Sequence, residues 1–310
     1  MSLRLLVRPM TMADKPAVLR VSSRIWEGHD YVPLFFDRWV NEGGFWAAEL
    51  RGRLVGYGKA TQLSPGEWWL EGLRVDPKCR NRGVGKELSR QVLHRTLDER
   101  PVSLRLATAD VNKESIHIIE TVMGFKPFAH YRFFLGKPAE PGATGLDRKT
   151  GTVPRVRALQ GTVPAFRSHA PLVRPATREA LDYIKRSPEL LASKGLMQYT
   201  WLFRNLDRRY ASELVRGGNV LGYRAGGRLA GLMILRPHRY RGNDLDISFV
   251  AGTARALAAF RSFLFRVAHE CGTKNISGMA ASEEMAAALK VMGMKPHPDI
   301  RAVLVYEYRI

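Results

Sequence analysis

The residues most able to do chemistry lie in one stretch, from Trp69 to Gly85. A strand-like segment leads into a loop that carries Arg80, Arg82, Gly83 and Gly85, and the loop opens onto an amphipathic helix. Because glycine has no Cβ, backbone N–H groups in such a loop can approach an anion closely, and the helix N-terminus adds partial positive charge. The arginines supply charge-assisted donors. The loop is therefore predicted to hold a pyrophosphate, with a plain turn as the alternative.

The spacing of this loop points to one kind of cofactor. It matches neither the dinucleotide pattern Gly-x-Gly-x-x-Gly nor the P-loop pattern that ends in Gly-Lys-Ser/Thr. Arg-x-x-Gly-x-Gly after a strand that ends Val-Asp-Pro resembles the acetyl-coenzyme A signature of the GNAT N-acetyltransferase superfamily. Asn112 to Ser115, followed by Met123 to Phe125, resembles that family's later helix, and the two motifs together cover about residues 4–135.

The resemblance implies a fold, a cofactor and a set of binding residues. The fold class is α/β (α+β), with a mixed, mostly antiparallel sheet flanked by helices. The cofactor is acetyl-CoA, with its pyrophosphate on the loop, its pantetheine arm along the edge of the preceding strand, and a further contact from the later helix. The cofactor-binding residues that the family pattern implies are Leu73, Arg74, Val75, Arg80, Asn81, Arg82, Gly83, Val84, Gly85 and Asn112.

A single carboxylate lies in the strand before the loop. Period-2 alternation places Trp69, Glu71, Leu73 and Val75 on one face of that strand. Amide formation from a thioester needs an uncharged amine, so a base must remove a proton, directly or through a water. Burial among apolar neighbours would disfavour the charged carboxylate, whereas the nearby Arg74 would favour it. Glu71 is predicted to be the catalytic base, with a structural pairing to an arginine as the alternative.

The family pattern does not identify the group that protonates the departing thiolate. The family's later helix often carries a tyrosine for this purpose, but Ile118, Ile119 and Glu120 occupy that region here. The segment from Asn112 to Phe125 is also one residue longer than usual. The acid is therefore unassigned, and the candidates are Tyr57, His117 and Tyr131.

A narrower resemblance concerns the acceptor. The segment from Ile25 to Pro33, followed by Trp39, is similar to Gly-x-Asp-Tyr-Leu-Pro and a later Trp in histidine N-acetyltransferase and its relatives, which also carry Glu-Gly-Leu-Arg-Val. The resemblance implies an amino-acid α-amine as acceptor, with Asp30 or Tyr31 lining the acceptor side. Alternatively, Asp30 caps the helix that begins near Pro33, and Tyr31 packs in the core.

The elements that position these residues recur in the second half of the chain. Three short segments recur in the same order at nearly constant offset, which indicates an internal duplication. They are Leu6–Pro9 with Leu172–Pro175, Gly52–Gly56 with Gly227–Gly231, and Val122–Pro127 with Val291–Pro296. The predicted organisation is a catalytic GNAT domain over residues 1–136, a linker over 137–170, and a second GNAT-like domain over 171–310.

The second copy has lost the loop. Asp244 to Val250 takes the place of the Glu71 strand, and only Gly252 remains where the loop should be. The helices that follow keep their apolar spacing. The second domain is therefore predicted to be non-catalytic, and either to complete the acceptor cleft or to dock the first domain.

Composition excludes several classes of protein. The chain has 310 residues and a formal net charge of +20, of which +13 falls in residues 151–310. The arginines are dispersed, which favours a solvated basic surface over a nucleic-acid groove. Arg4 and Arg8 interrupt the N-terminal apolar stretch, so neither a membrane helix nor a signal peptide is expected. Two cysteines fit a reducing compartment, with the cytoplasm as the default, and no metal-ligand spacing is met.

These observations predict an N-acetyltransferase that transfers acetyl from acetyl-CoA to the primary amine of a small molecule or amino acid. Two alternatives stay open at this stage. One is acetylation of protein lysines or N-termini, and the other is a non-catalytic CoA-binding regulatory protein. The chain could act as a monomer or a homodimer.

Overall fold

A computed structural model describes residues 5–138 and 172–310, which form two compact units. Unit 1 takes in the described residues up to Phe128 together with Val305–Ile310, and unit 2 takes in the described residues of Ala129–Leu304. The last residues of the chain thus belong to unit 1, although their sequence lies in the second copy. The predicted linker lies outside the described residues from residue 139 onward.

The first half of the chain alternates strands and helices in the predicted order. A π-helical turn, Ile118–Val122, directly follows α4, and single 3-10 turns lie at Met12–Asp14, Trp26–Gly28 and Pro77–Cys79. The elements are β1 Leu5–Pro9, α1 Lys15–Ser22, α2 Val32–Glu42, β2 Phe45–Leu50, β3 Arg53–Ser64, β4 Glu67–Val75, α3 Val84–Leu97, β5 Ser103–Ala109, α4 Lys113–His117 and β6 Lys126–Gly136.

The second half has a closely similar order, with a short hairpin added before its third helix. The elements are β7 Leu172–Val173, α5 Thr177–Lys185, α6 Pro188–Ala192, β8 Leu196–Tyr199, β9 Leu202–Asn205, α7 Arg208–Arg216, β10 Val220–Ala225, β11 Arg228–Pro237, β12 Leu245–Gly252, α8 Ala254–Glu270, β13 Ile276–Ala280, α9 Glu283–Val291, β14 Lys295–Pro296 and β15 Ala302–Tyr308.

The sheet of unit 1 runs in the order β1-β2-β3-β4-β5, with β15 beside β5. The first four strands pair antiparallel, whereas β4 and β5 pair parallel. A parallel pair needs a crossover connection, and α3 supplies it. The helices α1 and α2 bury Val18, Phe36 and Trp39 against one face of the sheet, where Phe45 and Tyr57 meet them.

The sheet of unit 2 runs in the order β7-β10-β11-β12-β13-β6, and β14 also pairs with β6. Its one parallel pair, β12 with β13, is joined by α8. The core of this unit centres on that helix, where Phe260 and Leu264 are fully buried with Ile247 and Phe249 of β12. Each unit is thus completed by a strand from the other half of the sequence, and the predicted mixed α/β fold is confirmed in both.

Candidate active site

Strand β4 carries a bulge one residue after Glu71. Gly58 of β3 faces two residues of β4, Gly72 and Leu73, because the register shifts by one at this point. Gly72 has φ +67°, and a Cβ there would lie 2.8 Å from Cζ3 of Trp39. Both the left-handed conformation and the close approach of the indole require glycine.

The bulge brings two charged residues to one face of the sheet. Glu71 lies opposite Lys59, and Arg74 lies opposite Tyr57. Residues directly opposite each other in an antiparallel pair share a face, and Tyr57 and Lys59 are two apart on β3. Glu71 and Arg74 therefore both project towards the side covered by α1 and α2.

The prediction that Leu73 and Val75 share the face of Glu71 is wrong. A Cβ on Gly58 would meet Leu73 Cδ1 together with a side chain of α3, and a Cβ on Gly85 at the start of that helix would meet Val75 Cγ2. Both side chains thus point to the α3 side. Simple alternation fails because the extra residue of the bulge reverses the faces beyond it.

The carboxylate of Glu71 is held in place and stays partly exposed. Thr61 Oγ1 donates a hydrogen bond of 2.8 Å to Glu71 Oε1. Lys59, opposite Glu71, is only 2 % exposed, and its Nζ donates to the carbonyl of Ala60 at 2.7 Å. Sequence reasoning missed both neighbours. A signal for Lys59 was present in the sequence, because a lysine stands among apolar residues in the buried strand β3.

Asp30 holds Arg74 instead of facing a ligand. Its side chain is 0 % exposed, and its Oδ1 accepts from Nη2 of Arg74 at 2.9 Å and from Nε at 3.1 Å. Tyr57 donates from its hydroxyl to Oδ2 at 3.1 Å. Burial, and then the charge of Asp30, raise the pKa of Tyr57, so its hydroxyl stays protonated as a donor. The bond from Val32 N to Asp30 is long, at 3.4 Å, so capping is a minor role.

Two aromatic rings pack against the guanidinium of Arg74. Its Cζ lies 4.3 Å from the ring centre of Trp26 and 5.1 Å from that of Tyr31. Trp26 is 58 % exposed, and both Trp26 and Glu27 have positive φ, which is costly for residues other than glycine. The helix α1 ends at Ser22, and this turn lies between it and α2.

The loop after β4 begins at a fixed anchor. Asp76 is buried, accepts a hydrogen bond from the backbone N–H of Lys78 at 3.0 Å, and pairs with Nη1 of Arg24 at 3.1 Å. The single 3-10 turn Pro77–Cys79 follows. The bonds of Asp76 therefore fix the start of the loop, whereas the second half of the loop faces solvent.

That second half presents unpaired donors. Within residues 5–138 and 172–310, the backbone N–H groups of residues 81–86 find no protein acceptor. Gly83 has φ +78°, and a Cβ on it would meet nothing within 4 Å, so the space beside it is open. The side chains of Arg80 and Arg82 are exposed, and α3 starts at Val84. A run of unpaired amides, two guanidinium groups and a helix N-terminus fit a pyrophosphate.

The strands β4 and β5 separate beside this loop. Parallel pairing joins Glu67–Trp69 to Ser103–Arg105 only. In the part of the chain that the structure describes, the remainder of β4, including Leu73–Val75, has no strand paired to the edge that faces β5. An extended ligand arm could pair with this open edge.

The helical segment after β5 contains one residue more than a regular α-helix would. Asn112 caps α4, and its side-chain oxygen accepts from the N–H of Ser115 at 3.3 Å. The helix then continues as the π-helical turn, in which the N–H of Met123 donates to the carbonyl of Ile118. A π turn accommodates one extra residue, which accounts for the additional length of this segment.

The candidates for the leaving-group acid have different surroundings. The hydroxyl of Tyr57 is hydrogen-bonded to Asp30 and Ser22, Tyr131 is buried in unit 2, and His117 is exposed. The structure adds Tyr306 of β15, whose hydroxyl donates to Glu120 Oε1 at 2.8 Å. Burial, and then the bond to Glu120, raise the pKa of Tyr306 to about 12. Sequence reasoning gave no signal for this pair, which is 186 residues apart in the chain.

The corresponding junction in unit 2 is closed. Between β12 and α8 stands one residue, Thr253, whose side chain accepts from the N–H of Ala256 at 3.3 Å. A Cβ on Gly252 would lie 2.6 Å from Cα of Gly231 and 3.0 Å from Cβ of Ala256, so strand and helix are in close contact. No loop or open space for a pyrophosphate is present at this junction.

The carboxylate of Asp246 on β12 is buried and hydrogen-bonded within the protein. Asp246 is buried and accepts from the hydroxyls of Ser248 at 3.0 Å and Ser277 at 2.8 Å. Burial raises the pKa of Asp246 to about 6 despite these donors. With its oxygens bound to neighbouring hydroxyls, this group is not available as a base for a bound amine.

Comparison with solved structures agrees with this fold. A GCN5-related N-acetyltransferase from Sphaerobacter thermophilus superposes with a TM-score of 0.62 at 13% identity, covering 99% of this chain and 96% of that one. A tandem GNAT protein from the clavulanic acid biosynthesis pathway gives 0.58 at 14% identity, with 98% of both chains covered. A fungal multi-domain β-N-acetylglucosaminidase with a GCN5-related glucosamine N-acetyltransferase region gives 0.58 at 13% identity, covering 99% of this chain and 38% of that one.

At these identities the structural likeness shows the fold alone. Among curated proteins, none matches this sequence closely enough to count as a relative. Across the described ranges, no helix is both long and apolar enough to span a membrane. The model of the acetyltransferase (GNAT) family matches residues 15–125. Residues 15–125, from α1 through the π-helical turn, are therefore similar to the acetyltransferase (GNAT) family, and this similarity supports an acyltransferase.

Proposed function

We propose that this protein is an N-acetyltransferase that moves the acetyl group of acetyl-CoA to the primary amine of a small molecule or amino acid, and that unit 1 carries the activity. The observation that carries the proposal is the geometry of β4. One strand presents Glu71 on its α1–α2 face, an open edge at Leu73–Val75, and a loop of unpaired amides at its end.

Acetyl-CoA would be held mainly by backbone groups. The amides of residues 81–86 would bind the pyrophosphate, with Arg80 and Arg82 adding charge-assisted donors. The open edge of Leu73–Val75 would pair with the pantetheine arm, and the side-chain amide of Asn112 lies at the start of the helix after β5. When bound, acetyl-CoA supplies an acetyl group activated as a thioester.

Glu71 would act as the general base. As the C–N bond forms, the C–S bond of the thioester breaks and coenzyme A leaves as its thiolate. The amine nitrogen must also lose a proton, which the carboxylate of Glu71 would accept directly or through one water. Thr61 donates to one oxygen of this carboxylate and so helps to orient it. The role of Lys59, buried and opposite Glu71 in the sheet, would be to help orient the carboxylate.

The acceptor would enter on the side of α1 and α2. Tyr31 and Trp26 supply aromatic surface there, and Asp30 acts through Arg74 because its own oxygens are buried. The resemblance of residues 25–33 to histidine N-acetyltransferase supports an amino-acid α-amine as acceptor. The second unit would be non-catalytic, since its junction between β12 and α8 is closed.

The proposal is tested by thiol release from acetyl-CoA with a panel of free amino acids, polyamines and lysine-containing peptides. Turnover with a small amine is expected. Turnover with peptides alone would identify a protein acetyltransferase instead, and tight cofactor binding without turnover on any amine would contradict the enzymatic proposal.

A substitution isolates the base. Glu71→Gln removes the proton acceptor while keeping the shape of the side chain, so kcat should fall about 100-fold or more, with affinity for CoA within about twofold. Asp246→Asn is the matched control, since it changes the buried carboxylate on β12 in unit 2 and should leave kcat unchanged. An unaltered rate in Glu71→Gln would make Glu71 a structural residue.

A further inference from the structure

We infer that the acceptor carries a carboxylate close to its reacting amine, and that Arg74 binds this carboxylate and so determines specificity. The inference rests on the proposed function, because it concerns the acceptor side of the same site. Its starting point is the bulge at Gly72, which places Arg74 on the same face of the sheet as Glu71.

Arg74 has donors that the protein does not use. A guanidinium carries five N–H groups. Two of them bind Asp30 Oδ1, from Nε and Nη2, and one binds the carbonyl of Leu73 from Nη1 at 2.9 Å. In the described part of the chain, no acceptor meets the remaining two N–H groups, one on each terminal nitrogen. Two neighbouring N–H groups of an arginine match the two oxygens of a carboxylate.

The orientation of this group is fixed in advance. Asp30 is fully buried and is itself held by the hydroxyl of Tyr57, while Trp26 and Tyr31 pack against the guanidinium. The Arg74 side chain retains 10 % exposure, so one edge can be reached from solvent. A fixed donor pair loses little conformational entropy when it binds a ligand.

The spacing suits a zwitterion. Glu71 and Arg74 lie opposite residues two apart on β3, which places their backbones about 7 Å from each other along one face. Both side chains are long enough to converge on one small molecule. The negative Glu71 would meet the ammonium group and the positive Arg74 the carboxylate, as in a free amino acid.

A purely structural role for Arg74 makes a different prediction. If the guanidinium served only to neutralise Asp30, its loss would lower stability but would not change which acceptors are used. Arg24 provides a matched case in the same unit, because it pairs with the buried carboxylate of Asp76 in a similar way.

The first experiment needs no variant. The wild-type protein is assayed with several free amino acids and with their carboxamides, which keep the amine and remove the carboxylate charge. The amide group lowers the basicity of the amine, so a preference for the carboxylate cannot come from easier deprotonation. We expect kcat/KM to be at least about tenfold higher for the amino acid. Equal or better use of the carboxamides would overturn the inference.

The second experiment compares Arg74→Lys with Arg24→Lys. Lysine keeps the charge but loses the paired donors, so Arg74→Lys should raise the acceptor KM and lower the preference for the carboxylate at least about fivefold, with the KM of acetyl-CoA within twofold. Arg24→Lys should leave the preference unchanged. An unchanged preference in Arg74→Lys, or an equal loss in both variants, would contradict the role of Arg74.

Binding separates this inference from the proposed function. Calorimetric titration of the wild-type protein with an amino acid and with its carboxamide reports the carboxylate preference without any turnover. Preferential binding with no acetylation would support the Arg74 site while ending the proposed activity. Acetylation of the amino acid and its carboxamide with no preference between them would support the proposed activity and contradict the Arg74 site.

Discussion

The junction between β4 and α3 in unit 1 and the junction between β12 and α8 in unit 2 are two versions of one strand–helix connection. In the first, residues 76–83 separate the elements, and the amides of residues 81–86 have no acceptor among the described residues. In the second, Thr253 alone separates them, and its side chain accepts one of the helix amides. The fold therefore keeps its core with or without the loop, which supports the proposal that the loop of unit 1 serves binding.

The two carboxylates on the equivalent strands differ in the same way. Glu71 keeps one oxygen on Thr61 and remains partly exposed, whereas Asp246 is buried and bound by two serine hydroxyls. A carboxylate must reach the amine to act as a base. This contrast supports the proposal that unit 1 carries the site, because the equivalent carboxylate in unit 2 is held in the core.

The largest effect should come from rebuilding the loop. Arg80→Ala combined with Gly83→Val removes a charged donor and introduces a β-branched residue at φ +78°. Strain and lost hydrogen bonds of about 1–3 kcal/mol each should weaken CoA binding about 100-fold or more, as measured by calorimetry. The fold of unit 2 should be unchanged by circular dichroism. Undiminished CoA affinity would show that the cofactor binds elsewhere.

The next effect concerns the bulge that unit 1 uses to display Glu71 and Arg74. Gly72→Val would place side-chain atoms against Trp39 at a positive φ, at a cost of about 3 kcal/mol in unfolding free energy, and should reduce kcat/KM about tenfold or more. Gly58→Ala is the control on the partner strand, because a Cβ there meets ordinary contacts at 3.4 and 3.5 Å. If Gly72→Val and Gly58→Ala changed the unfolding free energy and kcat/KM to the same extent, the bulge would have no special role.

The smallest effect belongs to unit 2. Thr253→Ala removes the side-chain acceptor at the start of α8 and should lower the unfolding free energy by about 1 kcal/mol in a denaturant titration. CoA affinity and turnover should not change. A loss of CoA affinity in this variant would mean that the closed junction takes part in cofactor binding.

Features that depend on local sequence could be predicted. The spacing of Arg80 to Gly85 predicts the loop, and the three repeated segments predict the second copy. The extra residue between Asn112 and Phe125 appears in the structure as a π turn. These features follow from spacing along the chain, and spacing is visible in one sequence.

Features that depend on residues far apart in the chain could not be predicted. The bulge needs the indole of Trp39 above Gly72, and the partner of Arg74 is 44 residues away at Asp30. Alternation alone therefore put Leu73 on the wrong face. Likewise, nothing in the repeat indicated that the C-terminal strand, with Tyr306, would complete unit 1.

The central claim is that one unit of the two binds the cofactor. Calorimetric titration of the whole chain with CoA tests it most directly, on the wild type, on Arg80→Ala with Gly83→Val, and on Thr253→Ala. We expect one site per chain in the wild type and in Thr253→Ala, and none in the loop variant. Two sites per chain, or one site that persists in the loop variant, would contradict it.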